Sequence, residues 1–295
     1  MSDLAPLDTA ISQEAVRVPA RDGFLLSALW VRPERPRAAL LISPGTGYPK
    51  EYYLRFAKLA AGRGVACLLF DWRGMAGSAP EDLSTFEIDY PDWGRLDLPG
   101  VIDELRRGSG TDGPHLHMGH SVGGHFVGFA DNQAQIDAHA FVCVGSGYWG
   151  HHLWWYKPLV LFFWHGWGSY CLARYNYVKT GMGWTGRPVP GGVFRTWRRW
   201  CHNPRSYLDD LETVLRPHHF DEVKGPIRSF VYTDDPIATP RTARLILEAY
   251  PYAEKEVVVS TPEDLSLKSM GHGGPFSKKT ISAAEPVLAW LEGQG

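Results

Sequence analysis

The chain has 295 residues, 44% of them hydrophobic and 21% charged, and its 32 acidic and 30 basic residues give a formal net charge of −2. This composition is typical of a folded globular protein and excludes a disordered, collagen-like or coiled-coil chain. A charge this close to zero also argues against nucleic acid as a partner, because phosphate contacts require a clear excess of Lys and Arg on one face.

The amino-terminal residues contain Asp3 and Asp8 and lack a basic segment followed by an apolar run, so no secretory signal is expected. The longest strongly apolar stretch, residues 159–164, is far shorter than the roughly 20 residues that cross a bilayer. The four scattered cysteines show no metal-binding spacing. We therefore expect a cytoplasmic protein with free thiols and no transmembrane segment, of unknown oligomeric state.

Short β-rich runs alternate with helical patterns along most of the chain. Strands are predicted at 24–31, 38–43, 65–70, 115–118, 139–144, 227–232 and 255–260, and helices at 51–63, around 98–105, at 240–249 and at 280–291. The run at 65–70 is apolar throughout, as expected of a parallel strand that is buried on both faces. Alternation of this kind predicts an α/β fold with a mostly parallel, doubly wound sheet.

The segment 148–223 interrupts this alternation. It holds eight of the twelve tryptophans and several Gly and Pro breakers, and it shows no regular exchange of strand and helix. We interpret it as an inserted helical lid that divides a core domain into residues 1–147 and 224–295. Within the lid we assign substrate binding to three aromatic residues, Tyr148, Trp149 and Trp154.

The charge of this region allows two interpretations. Residues 138–208 contain eight Lys and Arg and no carboxylate. In the first interpretation these cations are solvated or stacked on aromatic rings. In the second they draw an acyl group with a negative charge into an aromatic pocket.

The strand predicted at 115–118 runs into Gly119-His120-Ser121-Val122-Gly123, which matches the pattern G-x-S-x-G. Between a strand and a helical pattern, such a sharp turn holds the serine in a strained backbone conformation with its hydroxyl above the sheet. Glycines are needed beside it because larger side chains would collide with neighbouring backbone. The alternative is a glycine-rich turn with an incidental serine. If the turn is the strained one, Ser121 is a nucleophile.

A serine hydroxyl is a weak nucleophile, so it needs a histidine to accept its proton and an acid to orient that histidine. In this class of fold the order along the chain is Ser, acid, His. Asp234 and Asp235 follow the strand at 227–232, and His272 lies in a glycine-rich loop after the last strand. We predict Asp235 as the acid because Pro236 fixes the turn after it, whereas Asp234 is expected to form a cap or face solvent.

Two backbone N–H groups are expected to form an oxyanion hole. One belongs to Val122, directly after the nucleophile, and the other to Thr46 in the loop after the strand at 38–43. A plain turn between strand and helix is the alternative interpretation of that loop.

Cofactor and metal sites are not expected. Residues 145–150 match G-x-G-x-x-G, but the acid that dinucleotide binding requires about 20 residues later is absent. The adjacent histidine pairs lack an acidic ligand that would complete a metal site.

With these residues the chain resembles the α/β-hydrolase superfamily over nearly its whole length. Residues 70–78 are similar to the superfamily's D-x-R-G-x-G-x-S turn, with Ala76 and Gly77 shifted by one position. The segments 119–125, 145–149 and 197–201 more narrowly resemble a bacterial subgroup of predicted α/β hydrolases. The resemblance implies an α/β-hydrolase fold in which Ser121 is the nucleophile, Asp235 the acid and His272 the base. Pro44-Gly45 stands where many relatives have His-Gly.

These residues and the resemblance predict a serine hydrolase of carboxylic esters or related acyl compounds such as thioesters, lactones and amides. The small-molecule substrate would pass through an acyl-serine intermediate. Two alternatives stay open from the sequence. One is an acyltransferase with the same triad, and the other is a ligand-binding protein that keeps the fold without turnover.

Overall fold

The computed structural model describes residues 10–294. Ten strands lie in this range, and eight of them form one sheet while β7 and β8 pair with each other. The strands are β1 (Ser12–Pro19), β2 (Leu25–Arg32), β3 (Ala38–Ser43), β4 (Val65–Phe70), β5 (His115–His120), β6 (Ala138–Val142), β7 (Tyr177–Val178), β8 (Val189–Pro190), β9 (Ile227–Tyr232) and β10 (Lys255–Ser260).

The strand order of the large sheet is β1-β2-β4-β3-β5-β6-β9-β10. The pairs β1–β2 and β2–β4 are antiparallel, and all other pairs are parallel. After β3 the chain passes to β4 on one side and then to β5 on the other, so the strand order reverses between β3 and β5. Ligand sites in such sheets lie beyond the carboxyl ends of the strands at this reversal.

Helices cover both faces of the sheet, which confirms the predicted α/β, doubly wound architecture. Successive residues of β3 enter different cores: Leu40 packs in one cluster and Leu41 in the other. This alternation explains why β3 and its neighbour β4 are nearly continuous apolar runs. One face packs against α1 (Leu54–Gly62) and α7 (Glu285–Glu292), and the other against α2 (Leu98–Gly108) and α6 (Pro240–Leu247).

Two elements differ from the prediction. The edge strand β1 was not predicted, because most of its side chains are exposed and it carries no apolar run; antiparallel pairing with β2 forms it. The helical pattern after Ser121 forms only short 3₁₀ turns, at Ser121–Gly124 and Val127–Phe129. Glycines are poor helix formers, and a Cβ on Gly128 would lie 2.2 Å from the Phe220 ring.

Residues 148–223 lie between β6 and β9 and are called the inserted segment below. They contain β7 and β8 as well as three helices. Buried rings join these helices, since Trp164 packs against Phe194 and Trp197 with ring centroids 5.4 and 4.7 Å away. No helix within residues 10–294 is long and apolar enough to span a bilayer. The three helices are α3 (Lys157–Phe162), α4 (Gly168–Tyr175) and α5 (Gly191–His202).

Candidate active site

Ser121 stands at a sharp turn directly after β5. Its φ is +52°, a left-handed conformation that costs a non-glycine residue roughly 1–2 kcal/mol. A Cβ on Gly119 would lie 2.4 Å from the Gly124 nitrogen, and one on Gly123 would lie 2.1 Å from the Ser43 carbonyl oxygen. The turn therefore requires glycine on both sides of the serine, as the G-x-S-x-G pattern predicted.

The structure brings Ser121, Asp235 and His272 into one hydrogen-bonded row. The Ser121 hydroxyl donates to Nε2 of His272 at 2.9 Å. Nδ1 of His272 donates to the Asp235 carboxylate, 2.9 Å from Oδ2 and 3.1 Å from Oδ1. Because Nδ1 carries the proton, Nε2 is free to accept the serine proton.

Asp235 is completely buried and its carboxylate is held in place by backbone. Its Oδ1 also accepts the N–H groups of Ile237 and Ala238, at 2.8 and 3.0 Å. These bonds keep the carboxylate aimed at His272 and satisfy an acceptor that would be costly to bury alone.

The adjacent Asp234 has a different position. Its carboxylate accepts the N–H groups of Met270 and Gly271 at 2.8 and 3.1 Å, so it caps the loop that carries His272. The predicted difference between the two acids is therefore seen in their contacts: Asp235 touches the imidazole, and Asp234 holds the backbone before it.

The loop after β3 is tied on several sides. The Pro44 carbonyl accepts the Trp72 indole N–H at 2.8 Å, and the Gly45 N–H donates to the Tyr53 hydroxyl at 2.9 Å. The Thr46 hydroxyl bonds to that of Tyr90. The backbone groups of Pro44 and Gly45 and the hydroxyl of Thr46 therefore have partners. The Thr46 N–H has no acceptor among residues 10–294.

The second predicted oxyanion donor lies in the turn after β5. Val122 is the second residue of the 3₁₀ turn at Ser121–Gly124, so its N–H has no acceptor within that turn. Gly45 packs against this turn, since a Cβ there would lie 3.2 Å from Cβ of Ser121. Thr46, Ser121 and Val122 all line the same cavity.

A buried hydrogen-bonded chain links this loop to the histidine. The Tyr53 hydroxyl, which accepts from Gly45, lies 2.7 Å from Nδ1 of His120. Nε2 of His120 lies 2.9 Å from the backbone carbonyl of His272. That carbonyl only accepts, so Nε2 carries the proton, and Nδ1 accepts from Tyr53.

His120 stays uncharged in this chain because burial lowers its pKa to about 3. The chain of bonds runs from Gly45 through Tyr53 and His120 to His272, so one set of bonds braces both the loop after β3 and the backbone of His272. No pattern in the sequence pointed to these two roles: His120 stands at a variable position of the G-x-S-x-G pattern, and the partners of both residues lie far away in the chain.

The cavity around Ser121 and His272 has a volume of about 510 Å³. None of its lining residues is Asp, Glu, Lys or Arg. Burial lowers the pKa of both lining histidines outside the triad, His125 and His152, to about 4, so they are uncharged near neutral pH. The inserted segment supplies most of the aromatic lining: Tyr156, Phe163, Trp164, Trp184, Trp197 and Trp200.

The three lid residues assigned to substrate binding do not line this cavity. Trp154 is 81% exposed, the Tyr148 ring packs edge-on against His151, and Trp149 packs on the apolar core. Other rings of the same segment line the cavity instead. Spacing along the segment does not show which rings turn inward.

The basic residues of the inserted segment lie outside the cavity as well. Nζ of Lys179 is 3.6 Å from the Tyr175 ring centroid, Arg199 pairs with Asp210, and Arg205 pairs with Asp209. The structure therefore favours solvated or stacked cations, and the interpretation in which they bind an anionic acyl group has no support in the cavity. Within residues 10–294 no cluster of three or more His, Cys, Asp or Glu could hold a metal ion.

Solved structures of other proteins superpose on this chain over nearly its whole length. A soluble variant of the monoglyceride lipase of Saccharomyces cerevisiae superposes with a TM-score of 0.66 at 13% identity, covering 99% of this chain and 98% of that one. An esterase of Pyrococcus furiosus gives 0.61 at 14% identity, covering 100% and 95%. At such identities these structures share the fold with this chain. No curated protein sequence matches.

The sequence itself matches the model of the alpha/beta hydrolase family over residues 39–277. This match runs from β3 to the loop beyond His272 and so includes every strand whose carboxyl end borders the cavity. Since it covers well over half of the sequence, the chain belongs to the alpha/beta hydrolase family.

Proposed function

We propose that this protein is a serine hydrolase of carboxylic esters and related acyl compounds, with Ser121 as nucleophile, His272 as base and Asp235 as orienting acid. The observation that carries this proposal is the unbroken row of hydrogen bonds from the Ser121 hydroxyl to the buried Asp235 carboxylate. A serine at such a turn with an acceptor histidine is the arrangement that nucleophilic catalysis requires.

In the first half of the reaction, Oγ of Ser121 attacks the acyl carbonyl carbon while its proton passes to Nε2 of His272. Asp235 stays ionised and stabilises the imidazolium that forms. The carbonyl oxygen becomes an oxyanion and accepts hydrogen bonds from the free N–H groups of Thr46 and Val122. The intermediate then collapses, and the leaving alcohol takes the proton from His272.

In the second half, a water molecule attacks the acyl carbon of the acyl-Ser121 intermediate and gives a proton to His272. Collapse releases the carboxylic acid and returns the proton to Oγ of Ser121. We propose that the inserted segment acts as a lid over this site, because its aromatic rings form much of the cavity wall and would keep bulk water from the acyl group.

A fluorophosphonate probe, which reacts with activated serines, tests this function. We expect labelling of the wild-type protein at Ser121 and turnover of short p-nitrophenyl esters. A folded protein that stays unlabelled and hydrolyses none of these esters would contradict the proposal and favour a ligand-binding protein. The probe reports on Ser121 before any natural substrate is known.

The uncharged cavity predicts a preference for neutral acyl groups. Esters of simple fatty acids should have a kcat/KM about a hundredfold higher than esters of dicarboxylic acids of equal length with one free carboxylate, because burying an unpaired charge is costly. The measurement is a comparison of the two series near neutral pH. Equal rates, or faster hydrolysis of the anionic series, would show that a cation reaches the acyl group after all.

The hydrogen-bonded chain through Tyr53 predicts an effect on turnover. Tyr53→Phe removes the acceptor of the Gly45 N–H and the donor to His120, so we expect kcat to fall by about ten- to a hundredfold with little change in KM. Full kinetics on a short ester, with a pH profile of kcat/KM, measure this.

Tyr250→Phe is the matched control. Its hydroxyl is also buried and bonds to a backbone carbonyl, that of Gly124, at 3.2 Å, but it contacts neither the oxyanion loop nor His272. It should keep kcat within about threefold. Equal losses in both variants, with an unchanged pH profile, would reduce Tyr53 to a packing role.

A further inference from the structure

The inserted segment exposes an unusual amount of apolar surface. Of the twelve large apolar side chains that are exposed within residues 10–294, six lie between positions 154 and 182. Trp154 is the most exposed of all, at 81%, and Met182 is exposed by 62%. The six are Trp154, Trp155, Leu159, Phe162, Tyr170 and Met182.

Five of these side chains form what we call the lid face: Trp154, Trp155, Leu159, Phe162 and Met182. The two tryptophans precede α3 directly, and Leu159 and Phe162 are three positions apart on that helix, so they lie on one side of it. The loop with Met182 reaches this helix, since a Cβ on Gly183 would lie 3.2 Å from Cδ1 of Leu159.

The lid face borders the cavity at two of its residues. Leu159 and Met182 are exposed to solvent and also line the cavity that holds Ser121 and His272. An apolar molecule that leaves a hydrophobic phase at the lid face therefore meets the aromatic cavity wall without crossing bulk water. Isolated exposed apolar residues need no explanation, but a cluster of this kind marks an interaction surface.

The stretch of sequence that carries the lid face has basic residues and no acidic ones. No carboxylate occurs from residue 138 to residue 208. Of the eight cations there, only two form salt bridges within the part of the chain that the structure describes, namely Arg199 and Arg205. Lys157 lies on α3 between the tryptophans and Leu159. Cations of this kind attract anionic headgroups, and tryptophan favours the boundary between lipid and water.

We propose that the lid face docks on the surface of an anionic phospholipid bilayer, from which the cavity takes its apolar ester. A second copy of the chain fits less well, because a twofold interface would place the same cations of both copies against each other. The delivery of substrate rests on the function proposed above. Docking itself does not, because it needs no turnover.

Sedimentation with vesicles tests docking separately from catalysis. We use the Ser121→Ala protein, so that no lipid is hydrolysed. It should bind vesicles of phosphatidylcholine mixed with phosphatidylglycerol, bind phosphatidylcholine alone more weakly, and release the mixed vesicles as salt rises. If binding is found but the wild-type protein shows no esterase activity, docking stands and the proposed function fails.

Substitutions on the lid face identify the surface. Trp154→Ala with Phe162→Ala should lower the partition coefficient at least about tenfold, because each change removes apolar area from the contact. The single change Trp154→Ala affects a side chain that contributes little to the packing of the fold. It should lower the partition coefficient about threefold. Neither residue lines the cavity, so hydrolysis of a short water-soluble ester, measured with Ser121 restored, should be unchanged and shows that both variants fold.

Tyr252→Ala is the matched control. Its ring is 70% exposed, but it precedes β10 at the amino edge of the parallel strands, opposite the site. It should bind vesicles like the parent. Absent vesicle binding, or equal losses in the control and lid-face variants, would overturn the proposal. Dimers that dissociate in the lid-face variants, without vesicle binding, would assign the face to self-association instead.

Discussion

Replacing Ser121 with alanine is expected to lower kcat by roughly a million-fold, the loss found when a serine protease loses its nucleophile. In the proposed mechanism Oγ is the atom that forms the acyl intermediate, and no other hydroxyl is bonded to Nε2 of His272 within residues 10–294. The strained φ of +52° at this position should persist, because alanine tolerates it no worse than serine.

The measurement combines steady-state kinetics on a short p-nitrophenyl ester with thermal unfolding of the same preparation. Activity should vanish while the unfolding midpoint stays close to that of the wild type. A matched control is Ser109→Ala, which removes a buried serine hydroxyl remote from the cavity and should leave kcat unchanged. If Ser121→Ala retains activity within about tenfold of wild type, another group performs the attack.

Asp235→Asn is expected to lower kcat by about ten-thousand-fold. An amide keeps the shape of the side chain, but it cannot stabilise the imidazolium and it favours the wrong tautomer of His272. The carboxylate is completely buried and accepts bonds from Ile237 and Ala238 as well as from the imidazole.

Asp234→Asn separates orientation of the loop from chemistry at the imidazole. The amide keeps one oxygen to accept from Met270 or Gly271, so we expect a loss of only about tenfold. Asp264→Asn is the control, because Asp264 also accepts a backbone N–H, that of Thr261, in a loop without contact to the triad. It should leave kcat unchanged. If Asp234→Asn costs more than Asp235→Asn, the acid role belongs to Asp234.

Much of the fold followed from sequence because its signals are local. The predicted strands at 38–43, 65–70, 227–232 and 255–260 coincide with β3, β4, β9 and β10. β3 and β4 are buried at every position and almost wholly apolar, so their own residues record that both faces of the strand are covered. Likewise the G-x-S-x-G pattern identifies the turn at Ser121, because only glycine fits the close backbone approaches on both sides.

The edge strand β1 and the cavity wall depended on partners elsewhere in the chain. Residues 12–19 are mostly exposed, so nothing in them indicates a strand until β2 pairs with them. In the inserted segment the eight tryptophans follow no simple period, and packing among α3, α4 and α5 turns Trp164, Trp197 and Trp200 inward while Trp154 stays outside.

The sequence alone therefore determined the parallel sheet, the order of Ser121, Asp235 and His272, and the positions of Ser121 and Asp235 just after strands. Each of those features is set by the residues beside it. Only the tertiary structure decided that the cavity is lined by no charged residue, that the basic residues lie outside it, and that Tyr53 and His120 link the loop after β3 to His272. These features arise between elements far apart in the chain, where the contacts depend on packing and leave no periodic trace in either segment.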